Sequence, residues 1–191
     1  MSISSPVRKA VVAGALAAVS IVLSLTPFGY IPWLAGASLT VMHVPAIIGA
    51  VLEGPLVGAL VGAIFGVSSL VKAATSPGGP IDVFFTNPVV SVIPRILVGV
   101  VAWAVFAAFR GKFRAVSAAV AGVAGSLTNA LLVLGTLVAY KAIPLAVAGS
   151  VFVANSLVEA VVGGILTTAV VLAWKGIGDS VGKSRLSSED K

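Results

Sequence analysis

The sequence predicts an all-α integral membrane protein of six transmembrane helices, with both termini cytoplasmic. Three observations carry that expectation. The chain of 191 residues is 59% hydrophobic and only 9% charged, where a soluble domain carries about a quarter charged residues, and its mean hydropathy is +1.15. Its apolar residues gather in runs at about 8–26, 41–72, 88–109, 115–139 and 149–174, most of them near the roughly 20 residues that cross a bilayer. Its 12 Lys and Arg sit in short clusters between those runs, the pattern of membrane topology rather than of a nucleic-acid surface. With 0 cysteines and 1 histidine, neither a disulfide nor a thiolate or His-based metal site is expected.

The first run follows Arg8 and Lys9. VVAGALAAVSIVLSL resembles a signal peptide, and Ala35-Gly36-Ala37 imitates a cleavage site, but PFGYIPW holds the two too far apart. A retained first helix at 8–26 is expected. The run at 41–72 is too long for one span, and Gly54-Pro55 interrupts it. Charge resolves the count. Five spans starting inside would leave Arg110, Lys112, Arg114, Lys175, Lys183, Arg185 and Lys191 outside. Six spans bring all of them inside with Arg8 and Lys9, and only Lys72 and Lys141 remain outside. The spans are then about 8–26, 41–53, 55–72, 88–109, 115–139 and 149–174 in a membrane domain 1–175, followed by a basic cytoplasmic tail at 176–191. The second span is short, so protein must shield its end.

This topology sends the irregular loops PFGYIPWLAGAS, AATSPGGPIDVFFTN and YKAIP outward and the brief turns LEGP and RGKFR inward. Their proline, glycine and aromatic content suits shaped covers, although ordinary connectors have such residues too. GIGDSVGKS at the tail imitates a phosphate loop. Its G-x-x-x-G-K-S spacing is one residue short, and it follows an apolar helix rather than a strand. No ATP site is expected in this chain, and the tail reads as flexible and drawn to anionic lipid.

Two helices show small-residue faces. Gly54, Gly58, Gly62 and Gly66 form a four-residue repeat along the third span, a stripe that lets another backbone approach closely, most simply within this protein. Ala10, Gly14 and Ala18, flanked by Ala13 and Ala17, form another on the first span. Internal packing and docking to a second membrane subunit are both open for it.

Polar residues inside the spans are the candidate site. Counting about 1.5 Å per residue, Arg95 lies about 12 Å below the outer surface, Asn155 about 9 Å, Glu159 about 15 Å and Asn129 about 16 Å. Asn155 and Glu159 share one helix face. His43, Ser68 and Ser69 fall in the same outer half, with Asn87 where the fourth span enters. Such groups are costly in hydrocarbon and point at a cavity or at one another. The candidate binding residues are therefore Arg95, Asn129, Asn155, Glu159, His43, Ser68 and Asn87, around a pocket for a small polar solute. An Arg95–Glu159 pair that merely ties helices is the structural alternative. In function, the runner-up to a solute-binding role is a self-contained secondary transporter with Arg95 and Glu159 as an ion-coupled relay. A membrane enzyme using Glu159 or His43 as acid–base is disfavoured, because paired carboxylates and clustered histidines are missing.

Four stretches, HVPAIIGAVLEGPLVGALVGAIFGVSSL, PRILVGV, GSLTNALLVLG and NSLVEAVVGGIL, together and in this order resemble the substrate-binding S component of energy-coupling factor (ECF) vitamin transporters. The likeness extends over about 8–174, and PRILVGV and GSLTNALLVLG most resemble the pantothenate-type branch. The resemblance implies a non-enzymatic, prokaryotic, multi-pass cell-membrane protein that captures a vitamin from outside. Its implied partners are a transmembrane coupling subunit and two cytoplasmic ATPase subunits, which use the ATP, and the loaded subunit reorients in the lipid bilayer as a body. This chain itself would hold no cofactor. By the same resemblance Ala13, Gly14 and Ala17 would dock the coupling subunit, Arg95 would meet a carboxylate, and Asn129 and Asn155 would satisfy amide and hydroxyl groups. Tyr30, Trp33, Phe84 and Phe85 would close over ligand, unless they anchor at the interface. The loop between the third and fourth spans is shorter than that branch's pattern, so riboflavin, folate or another vitamin precursor stands beside pantothenate.

Overall fold

Gly54 and Pro55 divide the long apolar run into two helices. Gly54 sits at φ 104°, where a side chain would be strained. Pro55 opens the next helix, where its missing N–H is no loss. The chain is seen in a computed structural model that describes residues 5–26, 29–32, 38–109 and 113–189. Its helices in order are α1 (Ser5–Leu25), α2 (Val44–Glu53) and α3 (Pro55–Thr75), then a fourth in two pieces, α4 (Pro88–Ser91) and α5 (Ile93–Ala108). A fifth, α6 (Arg114–Ala139), leads to a sixth built from α7 (Leu145–Val151), a π-helical turn at Phe152–Ser156 and α8 (Leu157–Glu189). Two short strands, β1 (Tyr30–Pro32) and β2 (Ser38–Thr40), pair antiparallel between α1 and α2. Hydropathy did not signal them. A 3₁₀ turn at Asp82–Thr86 precedes α4.

Five of these helices are long and apolar enough to cross a membrane. α2 is not: its 10 residues rise only about 15 Å. Val44 through Val51 are all buried, so protein rather than lipid surrounds it. α8 stays helical through Glu189, where a loose tail was expected from residue 176.

The glycine stripe on α3 packs internally. A Cβ added at Gly62 would lie 2.1 Å from the Arg95 carbonyl oxygen, and one at Gly66 2.7 Å from that of Ser91. Gly99 of α5 rests on Gly58 in the same manner. These matches run α3 antiparallel to α4 and α5. Likewise Gly122 of α6 meets Gly163 and Gly164 of α8. Arg8 grips Glu53 through Nη2 at 2.6 Å and Nε at 2.8 Å, so the start of α1 and the α2–α3 turn share one end of the bundle. Followed through the antiparallel contacts, the start of α6 and the end of α8 reach that end too. The core there joins Ile47, Ala50 and Val51 of α2 to Val98, Ala102 and Phe106 of α5, with Ala118 and Ala121 of α6 and Val171 of α8.

α1 divides its small residues between two faces, so the three residues expected to dock a partner do not share one outward surface. Ala17 is buried, and Ala13 packs against Ala46, Val57 and Val61. Only Gly14 of the three is turned outward, in line with exposed Ala10 and Ala18.

Candidate solute-binding site

At the opposite end of the bundle from the Arg8–Glu53 pair, α1, α3, α5, α6 and α8 enclose an open cavity of about 1370 Å³. Its Arg95 stands in an unusual stretch of backbone. Pro94 has no N–H for the carbonyl of Val90, four residues back, and the helix breaks at Val92 between α4 and α5. The Arg95 side chain turns back, and its Nη1 donates to the Val90 oxygen at 2.5 Å. The rings of Phe65 and Phe85 lie 5.5 and 5.3 Å from the guanidinium carbon, a cation–π arrangement on two aromatic faces. Arg95 is buried in its helix packing and yet lines the cavity.

Asn129 comes from the middle of α6 and Asn155 from the π turn, whose wider winding is frequent at functional sites. Both are buried, both line the cavity, and the side-chain carbonyl oxygen of each lacks a hydrogen-bond partner among the described residues. Such buried acceptors are costly unless a solute or water serves them. Glu159, one helical turn beyond Asn155, also lines the cavity. Its Oε1 accepts from the Thr40 N–H at 2.6 Å and from the Thr40 hydroxyl at 3.1 Å. The ion pair with Arg95 is not among the salt bridges of the described residues. Glu159 instead fastens β2 to the cavity wall.

The sequence-predicted residues therefore separate. Arg95, Asn129, Asn155 and Glu159 converge on one cavity, as their depths required. Ser68 and Ser69 line it too, the Ser68 hydroxyl donating to the Ile64 carbonyl at 2.9 Å. His43 does not line it. Its Nε2 bonds Ser126 Oγ at 2.8 Å, and that hydroxyl donates to the Gly122 carbonyl at 2.9 Å, so His43 ties the start of α2 to α6. Asn87 caps α4 instead, its Oδ1 accepting from the Val89 N–H at 2.9 Å. Phe84 and Phe85 both pack against the cluster of Val90, Leu137, Ile143 and Ala148, and of the two only Phe85 also lines the cavity. Tyr30 lies in β1, and Trp33 falls outside the described residues. Sequence reasoning missed Thr40, Met42, Phe65 and Ser156 in the lining. Phe65 could have been found, because it neighbours the Gly62–Gly66 stripe against which the Arg95 segment packs. Thr40 could not, since its contribution includes a backbone N–H.

Apolar helices long enough to span a membrane, around a cavity whose wall carries an arginine, a glutamate and two amides, describe a multi-pass membrane protein with room for a small solute at one end of the bundle. The sequence profile of the substrate-specific component of ECF transporters matches residues 8–174, and the chain belongs to that family of vitamin uptake transporters, which act with ECF module partners. It is 31% identical over 187 residues to the pantothenic acid transporter PanT of Lactococcus lactis subsp. cremoris, covering 86% of this chain and 91% of that protein. It is 34% identical over 76 residues to the pantothenate transporter PanT of Leuconostoc mesenteroides, covering 38% of this chain and 37% of that protein.

Proposed function

We propose that this chain is the pantothenate-capturing subunit of an ECF importer in the cell membrane of a prokaryote. Both termini face the cytoplasm and the cavity opens outward, as the positive charge near Arg8 and Arg114 favours. The observation that carries the substrate is the chemistry of the cavity wall. One cationic fork stands with two buried amides whose carbonyl oxygens seek donors. Pantothenate has a carboxylate for the first and hydroxyl and amide N–H groups for the second. The names of the two relatives point to the same vitamin.

The chain binds the vitamin without a cofactor and performs no chemistry on it. A transmembrane coupling subunit would dock on the outward small-residue line of α1, at Ala10, Gly14 and Ala18. Two ATPase subunits would supply the energy, and the loaded subunit would reorient as a body to release its cargo inside.

Calorimetry and liposome uptake on the purified chain test this together. Tight pantothenate binding without net transport is expected from the chain alone, with uptake restored when coupling and ATPase subunits and ATP are added. Accumulation by the chain alone under an ion gradient would overturn the subunit assignment. Binding of riboflavin or folate with no response to pantothenate would overturn the substrate.

A further inference from the structure

Arg95 and Pro94 are neighbours for a physical reason, and we infer that Pro94 is a positioning residue for vitamin binding. This inference rests on the pantothenate reading. Pro94 and Val90 are both fully buried, so water cannot serve the Val90 carbonyl that the proline leaves without its helical donor. The Arg95 Nη1 serves it at 2.5 Å. That bond tethers one arm of a five-donor fork and holds the guanidinium between Phe65 and Phe85. The backbone beneath is fixed as well, because Gly62 of α3 packs directly on the Arg95 carbonyl. A long side chain that would otherwise lose rotamer freedom on binding is thus ordered beforehand, which improves affinity without a new ligand contact.

Replacing Pro94 by alanine supplies the missing N–H. It competes with Arg95 for the Val90 oxygen and releases the tether. The loss should fall on the part of the ligand that the guanidinium meets. The test compares pantothenate with its alcohol analogue, in which a hydroxymethyl group replaces the carboxylate, by calorimetry on the purified full chain. Pro94→Ala is expected to weaken pantothenate about tenfold, the scale of one misplaced charge-assisted hydrogen bond, and to leave the alcohol within about twofold. In an Arg95→Lys background the same change should add nothing further.

Equal weakening of both ligands would show general distortion of the cavity and overturn the inference, as would no change in either. If Pro94→Ala does not elute as a folded monomer, Pro94→Gly supplies the same N–H with more freedom to keep the bend, and is read identically. Wild-type chain that fails to bind pantothenate overturns the functional reading and this inference with it. Wild-type binding with an unchanged ratio between the two ligands in the variant overturns the inference alone.

Discussion

Asn129 and Asn155 line the cavity, and each holds a buried side-chain carbonyl oxygen with no bond partner among the described residues, so on the proposed function each is a liability in the empty protein and an asset once a donor of the ligand reaches it. Their alanine variants should therefore move two measurements in opposite directions. Vitamin affinity is expected to fall about five- to tenfold, the worth of one hydrogen bond. The melting temperature of the empty protein, followed by tryptophan fluorescence in detergent, is expected to hold steady or rise. A fall in melting temperature as large as that of a core truncation would mean that the amides hold helices together instead. Glu159 makes the contrary case, because its oxygen is already occupied by Thr40. Glu159→Ala should speed hydrogen exchange at the Thr40 amide, whereas Glu159→Gln, which keeps a carbonyl acceptor, should preserve most of the protection. Equal exchange in all three proteins would refute the clasp between α8 and β2.

The elements show what was legible in the sequence and what was not. Four polar residues on three spans converge because each is too costly in lipid to face anywhere else, and depth alone was enough to group Arg95, Asn129, Asn155 and Glu159. Depth does not give direction around a helix. His43 and Met42 are adjacent, yet only Met42 reaches the cavity. Asn87 lies at the right level but serves the first turn of α4. α1 bears small residues on both faces, so composition did not separate inward Ala17 from outward Gly14. The four-residue repeat on α3 was legible, because a stripe of that regularity serves close backbone approach. Its energetic weight is testable. Gly62→Ala puts a methyl group where the Arg95 carbonyl lies, so α3 and α5 must part. The expected cost is about 1–3 kcal/mol or more, read as a lower melting temperature together with weaker vitamin binding. Gly135→Ala on α6, where an added Cβ meets nothing within 4 Å among the described residues, should change neither. Similar losses in both variants would point to a general effect of glycine replacement in these helices.

On the proposed function the bundle as a whole would keep solute binding and partner docking at different places, and α1 lets that separation be tested. Its inner face packs on α2 and α3 through Ala13 and Leu16, and Ala17 is buried as well. Its outer line of Ala10, Gly14 and Ala18 meets nothing at Gly14 among the described residues, in a protein whose other described outward surfaces are rich in Val, Leu and Ile. Lipid fills a shallow groove of small residues without strain, but a second helix fits it more closely. Gly14→Leu should therefore leave folding and vitamin binding in detergent at wild-type levels while reducing uptake by cells that also express the coupling and ATPase subunits. Ala17→Leu, one turn away on the buried side, should lower the melting temperature first, because the added carbons would have to enter packing in which Ala17 is already buried. Co-purification with the coupling subunit distinguishes the routes to failure. A folded, vitamin-binding Gly14→Leu protein that no longer retains its partner supports docking at this line. If that variant still holds its partner and transports normally, the coupling subunit approaches the bundle elsewhere, and the outward line of α1 is only a surface for lipid.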